Sequence, residues 1–64
     1  MTRTIETAVK EINFGRDYTF VCEDGTYTIP ASEAIAQSRF NPIEIGKKIL
    51  LVLVGDMIIS YKNI

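Results

Sequence analysis

Side chains that carry chemistry are scarce in this 64-residue chain: it has no histidine and one cysteine, Cys22. The usual zinc ligand sets and the Ser-His or Cys-His nucleophile pairs therefore cannot be assembled. Cys22 lies in an alternating apolar segment, which reads as an inert buried thiol. The neighbouring carboxylates Glu23 and Asp24 fall in a turn exposed to water, and Asp56 falls in a second turn, settings that favour turn formation and solubility over acid–base chemistry. Gly15, Gly25, Gly46 and Gly55 are isolated from one another and form no phosphate-binding loop. The expectation is a protein without catalytic residues, metal, cofactor or small-molecule substrate.

What remains is charge and apolar surface. Seven basic residues are interspersed with eight acidic ones, giving a formal net charge of −1, so the whole-molecule field does not gather phosphates. A nucleic-acid contact must then be local, and Arg16, Arg39 and the adjacent pair Lys47-Lys48 are the candidate cations. The structural alternative for Lys47-Lys48 is a solvated strand entry.

A chain of this length buries only about 60% of its unfolded surface, so one domain spanning residues 1–64 is expected, with most large apolar residues in its core. The opening residues contain no apolar run of signal-peptide length, and Ile49 to Val54 is too short to cross a bilayer. A soluble, cytoplasmic protein without a membrane partner is the default reading.

The elements that must position these residues are strands. Ile5, Thr7 and Val9 share one parity and Ile12 and Phe14 the other, so an extra residue near Lys10 or Glu11 is expected, a β-bulge that bends the first strand. The segment Tyr18 to Glu23 alternates and meets Asp24-Gly25, which suits a type I′ turn. Counting outward pairs Glu23 with Thr26, Cys22 with Tyr27, Val21 with Thr28 and Phe20 with Ile29. Tyr18, Phe20, Cys22, Tyr27 and Ile29 are then the core face, and Thr19, Val21, Glu23, Thr26 and Thr28 face outward. This outward face has neither an aromatic platform nor a positive charge.

Ala31 to Phe40 reads as a short helix with Ser32 as N-cap, stopped by Asn41-Pro42. Lys47 to Val54 and Met57 to Ile64 form a last hairpin around Gly55-Asp56, in the Gly-first order of a type II′ turn. Counting outward from that turn sets Val54 against Met57, Leu53 against Ile58, Val52 against Ile59, Leu51 against Ser60, Leu50 against Tyr61 and Ile49 against Lys62. Both faces are then apolar, and a small barrel has one interior. With Ile49, Leu51, Leu53, Ile58, Ser60 and Lys62 inward, an exposed stripe of Leu50, Val52, Val54, Met57, Ile59 and Tyr61 is left. It is either a protein interface, most simply a homodimer, or is covered by the helix through Ile35 and Phe40.

Three strands, a helical connection and two strands make the layout of the oligonucleotide-binding (OB) fold, a five-stranded Greek-key barrel; an SH3-like barrel is the alternative. Thr7-Ala-Val-Lys-Glu, Tyr18-Thr-Phe-Val-Cys-Glu-Asp-Gly and Gly46-Lys-Lys-Ile-Leu-Leu carry a resemblance, over nearly the whole chain, to the bacterial translation initiation factor one family and its relatives with ribosomal-protein S-one-type domains. The resemblance implies a non-enzymatic module that binds single-stranded RNA or DNA weakly, with Arg39, Lys47 and Lys48 at positions that could play the family's phosphate-contacting part; Arg16, in the loop between strands one and two, is a second contact. The chain departs from that pattern at Thr7, where a glycine is usual, and in an Ala-rich rather than basic helix. Self-association or docking of a protein through the last hairpin is the second reading.

Overall fold

A computed structural model describes residues 1–64 and has the order β1 (Thr2–Asn13), β2 (Asp17–Cys22), β3 (Thr26–Pro30), α1 (Ala31–Ser38), β4 (Lys48–Val54), β5 (Met57–Asn63). The strands form one sheet closed on itself in the order β1-β2-β3-β5-β4. All neighbours are antiparallel except β3 and β5, which meet in parallel at a single bridge, Thr28 opposite Met57. No helix is long and apolar enough to cross a membrane.

The break in parity along β1 is a bulge: Val9 opposes Cys22 and Glu11 opposes Val21, so Lys10 is extra. The strand serves two neighbours on either side of it. From Thr2 to Ala8 it pairs with β4, and from Val9 onward with β2.

The β2–β3 hairpin turns one residue earlier than the Asp24-Gly25 reading predicts, so each β2 residue meets a β3 partner two positions earlier. Tyr18 opposes Ile29, Phe20 opposes Tyr27 and Val21 opposes Thr26, and the Cys22 N–H donates to Gly25 O at 2.8 Å, leaving Glu23 and Asp24 at the tip. No residue of this turn has a positive φ. Gly25 instead leaves room for Tyr27: a Cβ there would lie 3.1 Å from the Tyr27 hydroxyl oxygen and 3.4 Å from the ring carbon that bears it, so the ring would have to give slightly. A register change of two preserves parity, so Phe20, Cys22, Tyr27 and Ile29 are buried as their alternation predicts, with Tyr18 packed at the edge of the core.

The last hairpin begins as predicted, with Val54 opposite Met57 and Leu53 opposite Ile58 around Gly55 at φ +63. A second bulge then makes Ile59 extra, and Val52 faces Ser60, Leu51 faces Tyr61, Leu50 faces Lys62 and Ile49 faces Asn63. This single extra residue resolves the conflict between the two apolar faces. Ile49, Leu51, Leu53 and Ile58 point into the core as expected, but Tyr61 joins them at 4% exposure, whereas Ser60 and Lys62 turn out beside Leu50 and Val52.

Helix α1 starts directly after Pro30, which occupies the N-cap position with no side-chain cap bond; Ser32 lies inside the first turn instead. Proline's fixed φ hands the chain from strand to helix without a loop, consistent with its observed φ of −56. The helix plugs the barrel end with Ala34 (2% exposed).

Candidate functional site

The four candidate cations lie on three separate segments of the chain. Arg16 lies in the three-residue loop between β1 and β2, Arg39 follows the last turn of α1, and Lys47 and Lys48 lie at the entry to β4; all are exposed. Lys48 sits opposite Ala8, whereas the Arg16 loop begins only after Asn13. Strand rise of about 3.3 Å per residue separates them by roughly 16 Å along β1. Lys48 also has a partner, its Nζ lying 3.5 Å from Glu6 Oε2.

The outward face of β2 and β3 carries Thr19, Val21, Thr26 and Thr28, and β1 adds Glu11 opposite Val21 and Asn13 opposite Thr19. It is a hydroxyl-rich surface without a stacking ring. The ring lies at its margin. Phe14, placed inward by the alternation, follows the end of β1 and is 74% exposed. Its ring stands edge-on to Tyr18, with centroids 4.8 Å apart and planes at 88°. Arg16 lies between these two aromatics in sequence. The β1–β2 corner thus brings an exposed aromatic face and a cation to one loop, an arrangement missed because Phe14 was counted as part of a strand that stops one residue earlier.

The carboxylate of Asp24 is not an idle turn residue. Thr7 Oγ1 donates to its Oδ1 at 2.8 Å and Tyr27 OH to its Oδ2 at 3.4 Å, tying the β2–β3 turn to β1. The Tyr27 hydroxyl is pushed above its ordinary pKa, first by burial and then by this negative charge. Burial, with Asp24 second, pushes the Cys22 thiol up to about 11, so it stays protonated and unreactive through neutral pH. No group of three or more His, Cys, Asp or Glu side chains gathers where it could hold a metal ion.

The outer face of β4 and β5 is the remaining candidate. Val54, Met57 and Ile59 are 40–45% exposed, and Leu50 and Val52 are half-buried among them. Tyr61 leaves this stripe for the core. The helix does not cover it: Ile35 and Phe40 are themselves exposed, at 48% and 84%. Instead α1 reaches β5 through Gln37, whose Nε2 donates to Ile59 O at 3.2 Å and whose Oε1 accepts from the Tyr61 N–H at 3.0 Å. The side-chain amide thereby occupies the position of a neighbouring strand residue where β3 has already turned into the helix. Nothing in the sequence distinguishes this glutamine from a solvated helix position.

Comparison with protein-family models, with curated proteins and with solved structures finds no match to this chain.

Proposed function

We propose that this chain is a non-enzymatic OB-type module that takes single-stranded nucleic acid at its β1–β2 corner. The OB reading is supported by the strand order β1-β2-β3-β5-β4 and by the helix between β3 and β4, the position that layout gives it. Ligands of such barrels engage the strand two and three face and the loop between strands one and two. The observation that carries the nucleic-acid reading is Phe14, exposed beside Arg16 in that loop. A base stacks on Phe14 and a phosphate pairs with Arg16, with the threonines of β2 and β3 offering hydroxyls to the backbone; Lys48, already beside Glu6, lies about 16 Å away along β1 and is not needed for this contact. Affinity is low, because few cations take part.

Fluorescence anisotropy with a labelled mixed-sequence 12-nucleotide RNA, at low and high salt, tests this. Phe14→Ala is expected to weaken binding by about 1–3 kcal/mol, the usual worth of a base–aromatic stack. Arg16→Ala should lower the salt dependence by roughly one phosphate's share. Absence of binding at low salt overturns the reading.

One observation favours a second reading, self-association through the outer face of the C-terminal hairpin: α1 leaves Val54, Met57 and Ile59 bare. Binding of that kind buries apolar surface and changes little with salt.

A further inference from the structure

The first half of β1 has one unpaired edge, and its backbone groups can be assigned individually. The Glu23 N–H donates to Ala8 O, so Ala8 points its carbonyl to the β2 side; the Gly46 N–H donates to Val9 O, so Val9 points to the β4 side. In an antiparallel strand the N–H and C=O of one residue face the same neighbour, and successive residues alternate. Arg3, Ile5 and Thr7 therefore bond to β4, opposite Leu53, Leu51 and Ile49. Thr2, Thr4 and Glu6 aim their N–H and C=O groups away from it.

Nothing of the chain receives them. The β1–β2 register begins only at Val9, and no bond outside the regular elements involves these three residues. No Cα of β3 or β5 comes within 8 Å of a β1 Cα, whereas a neighbouring strand lies about 4.8 Å away. All three residues are exposed. Between Thr2 and Glu6 the edge has no proline or bulge to blunt it, and of its two charged residues, Arg3 and Glu6, only Glu6 belongs to the free column.

We propose that this edge pairs with the same edge of a second copy of the chain, antiparallel, with a two-fold axis at Thr4. The occupant follows from the pattern of free groups. In this register Thr4 faces Thr4 of the second copy and Thr2 faces Glu6, so all three N–H and all three C=O groups of each copy find partners. Side chains stay on matching faces of the pleat. The central pair is Thr–Thr, a favourable cross-strand combination. Glu6, the only charge in this column, meets a threonine instead of itself and keeps Lys48 beside it at 3.5 Å. The sheet continues as β5-β4-β1-β1-β4-β5, an isologous assembly. The contact is small by the standard of stable dimers, so association is weak.

The test is a cysteine scan along the edge of the full-length protein under mild oxidation at about 0.5 mM, a concentration suited to a contact this small. Opposed residues of a hydrogen-bonded pair have Cα atoms about 5.5 Å apart, within disulfide range. Thr4→Cys should cross-link at least tenfold faster than Thr2→Cys, whose two copies stand about 14 Å apart at 3.4 Å per residue. Cys22, buried and protonated, does not compete. Thr4→Pro, which removes an N–H that no internal bond uses, should abolish self-association in sedimentation while leaving the circular dichroism unchanged. Ile5→Pro removes a bond to β4 and should unfold the protein. Val54→Thr and Met57→Thr should leave the cross-linking rate unchanged. Equal rates for Thr4→Cys and Thr2→Cys, or association lost in the stripe variants and kept in Thr4→Pro, overturn the proposal; the second outcome assigns the dimer to the hairpin face.

Discussion

The barrel is closed by two seams of opposite construction. Between β1 and β4 the chain runs in uninterrupted register from Thr2 opposite Val54 to Ala8 opposite Lys48. Between β3 and β5 it makes one bridge, Thr28 opposite Met57, with the Thr28 N–H donating to Asp56 O at 3.0 Å. Past that point the helix takes over, and the Gln37 amide serves the β5 edge in place of a strand. A closed sheet thus needs a ladder on only one side, provided that the polar groups of the other are met by a side chain of the right shape. With a full ladder at one seam and a single bridge at the other, the narrow seam is expected to open first.

The comparison breaks most readily at the broad seam. Leu51 is fully buried between Ile5 and Tyr61 in register, and Leu51→Ala should cost about 2–5 kcal/mol. A core of this size rarely supplies more than about 3–5 kcal/mol, so chemical denaturation should find the variant largely unfolded at 25 °C.

The narrow seam should respond less and locally. Gln37→Leu leaves the exposed Ile59 O to water and takes the partner from the part-buried Tyr61 N–H, at about 0.5–1.5 kcal/mol, the net worth of an ordinary hydrogen bond. Hydrogen exchange should accelerate at Tyr61 while β1–β4 amides keep their protection; uniform acceleration would show that the two seams open together. Gln37→Glu sharpens the point. An ionised carboxylate still accepts from Tyr61 but repels Ile59 O, whereas the protonated acid donates to it. The introduced carboxyl therefore has its pKa raised in the fold, and the stability of this variant should rise as pH falls through the carboxyl range.

The smallest effect is expected at Tyr61, which lies between the two seams. Tyr61 is paired to Leu51 across β4–β5, and its ring stands edge-on to Phe20 with centroids 6.1 Å apart, yet its hydroxyl is buried without a partner. Burial accordingly raises its pKa. Tyr61→Phe keeps the ring and removes the orphan, so the melting temperature should stay level or rise by a few degrees; a fall would reveal a bound water or a hidden acceptor.

Legibility in the sequence followed the pattern of apolar residues. The bulge at Lys10 could be read because Ile5, Thr7 and Val9 and then Ile12 change parity, and the core face of β2 and β3 could be read because a slip of two residues leaves it intact. The bulge at Ile59 could not. Where Leu50 to Val54 and Met57 to Ile59 are apolar at every position, each register buries something acceptable, and only Ser60 and Lys62 resisted the wrong one. Ser32 was a misleading cap because Pro30 already turns the chain. The candidate site was less legible than the fold. Its cations were visible, but Phe14 was hidden by a strand counted one residue too long, and Gln37 by a role that exists only once β5 has folded beside it.

The register of Thr2 with Val54 also bears on how the protein is made. Of the five strands β1 is made first, yet its partners in the broad seam follow 40 residues later for Ala8 with Lys48 and 52 for Thr2 with Val54, after both β2–β3 and the helix. The hairpin of β2 and β3 can form early from local contacts, but the broad seam is a long-range closure that must wait until β4 has been made. Until then the opening half of β1 lies open along both edges, and other nascent copies nearby would meet it in that state.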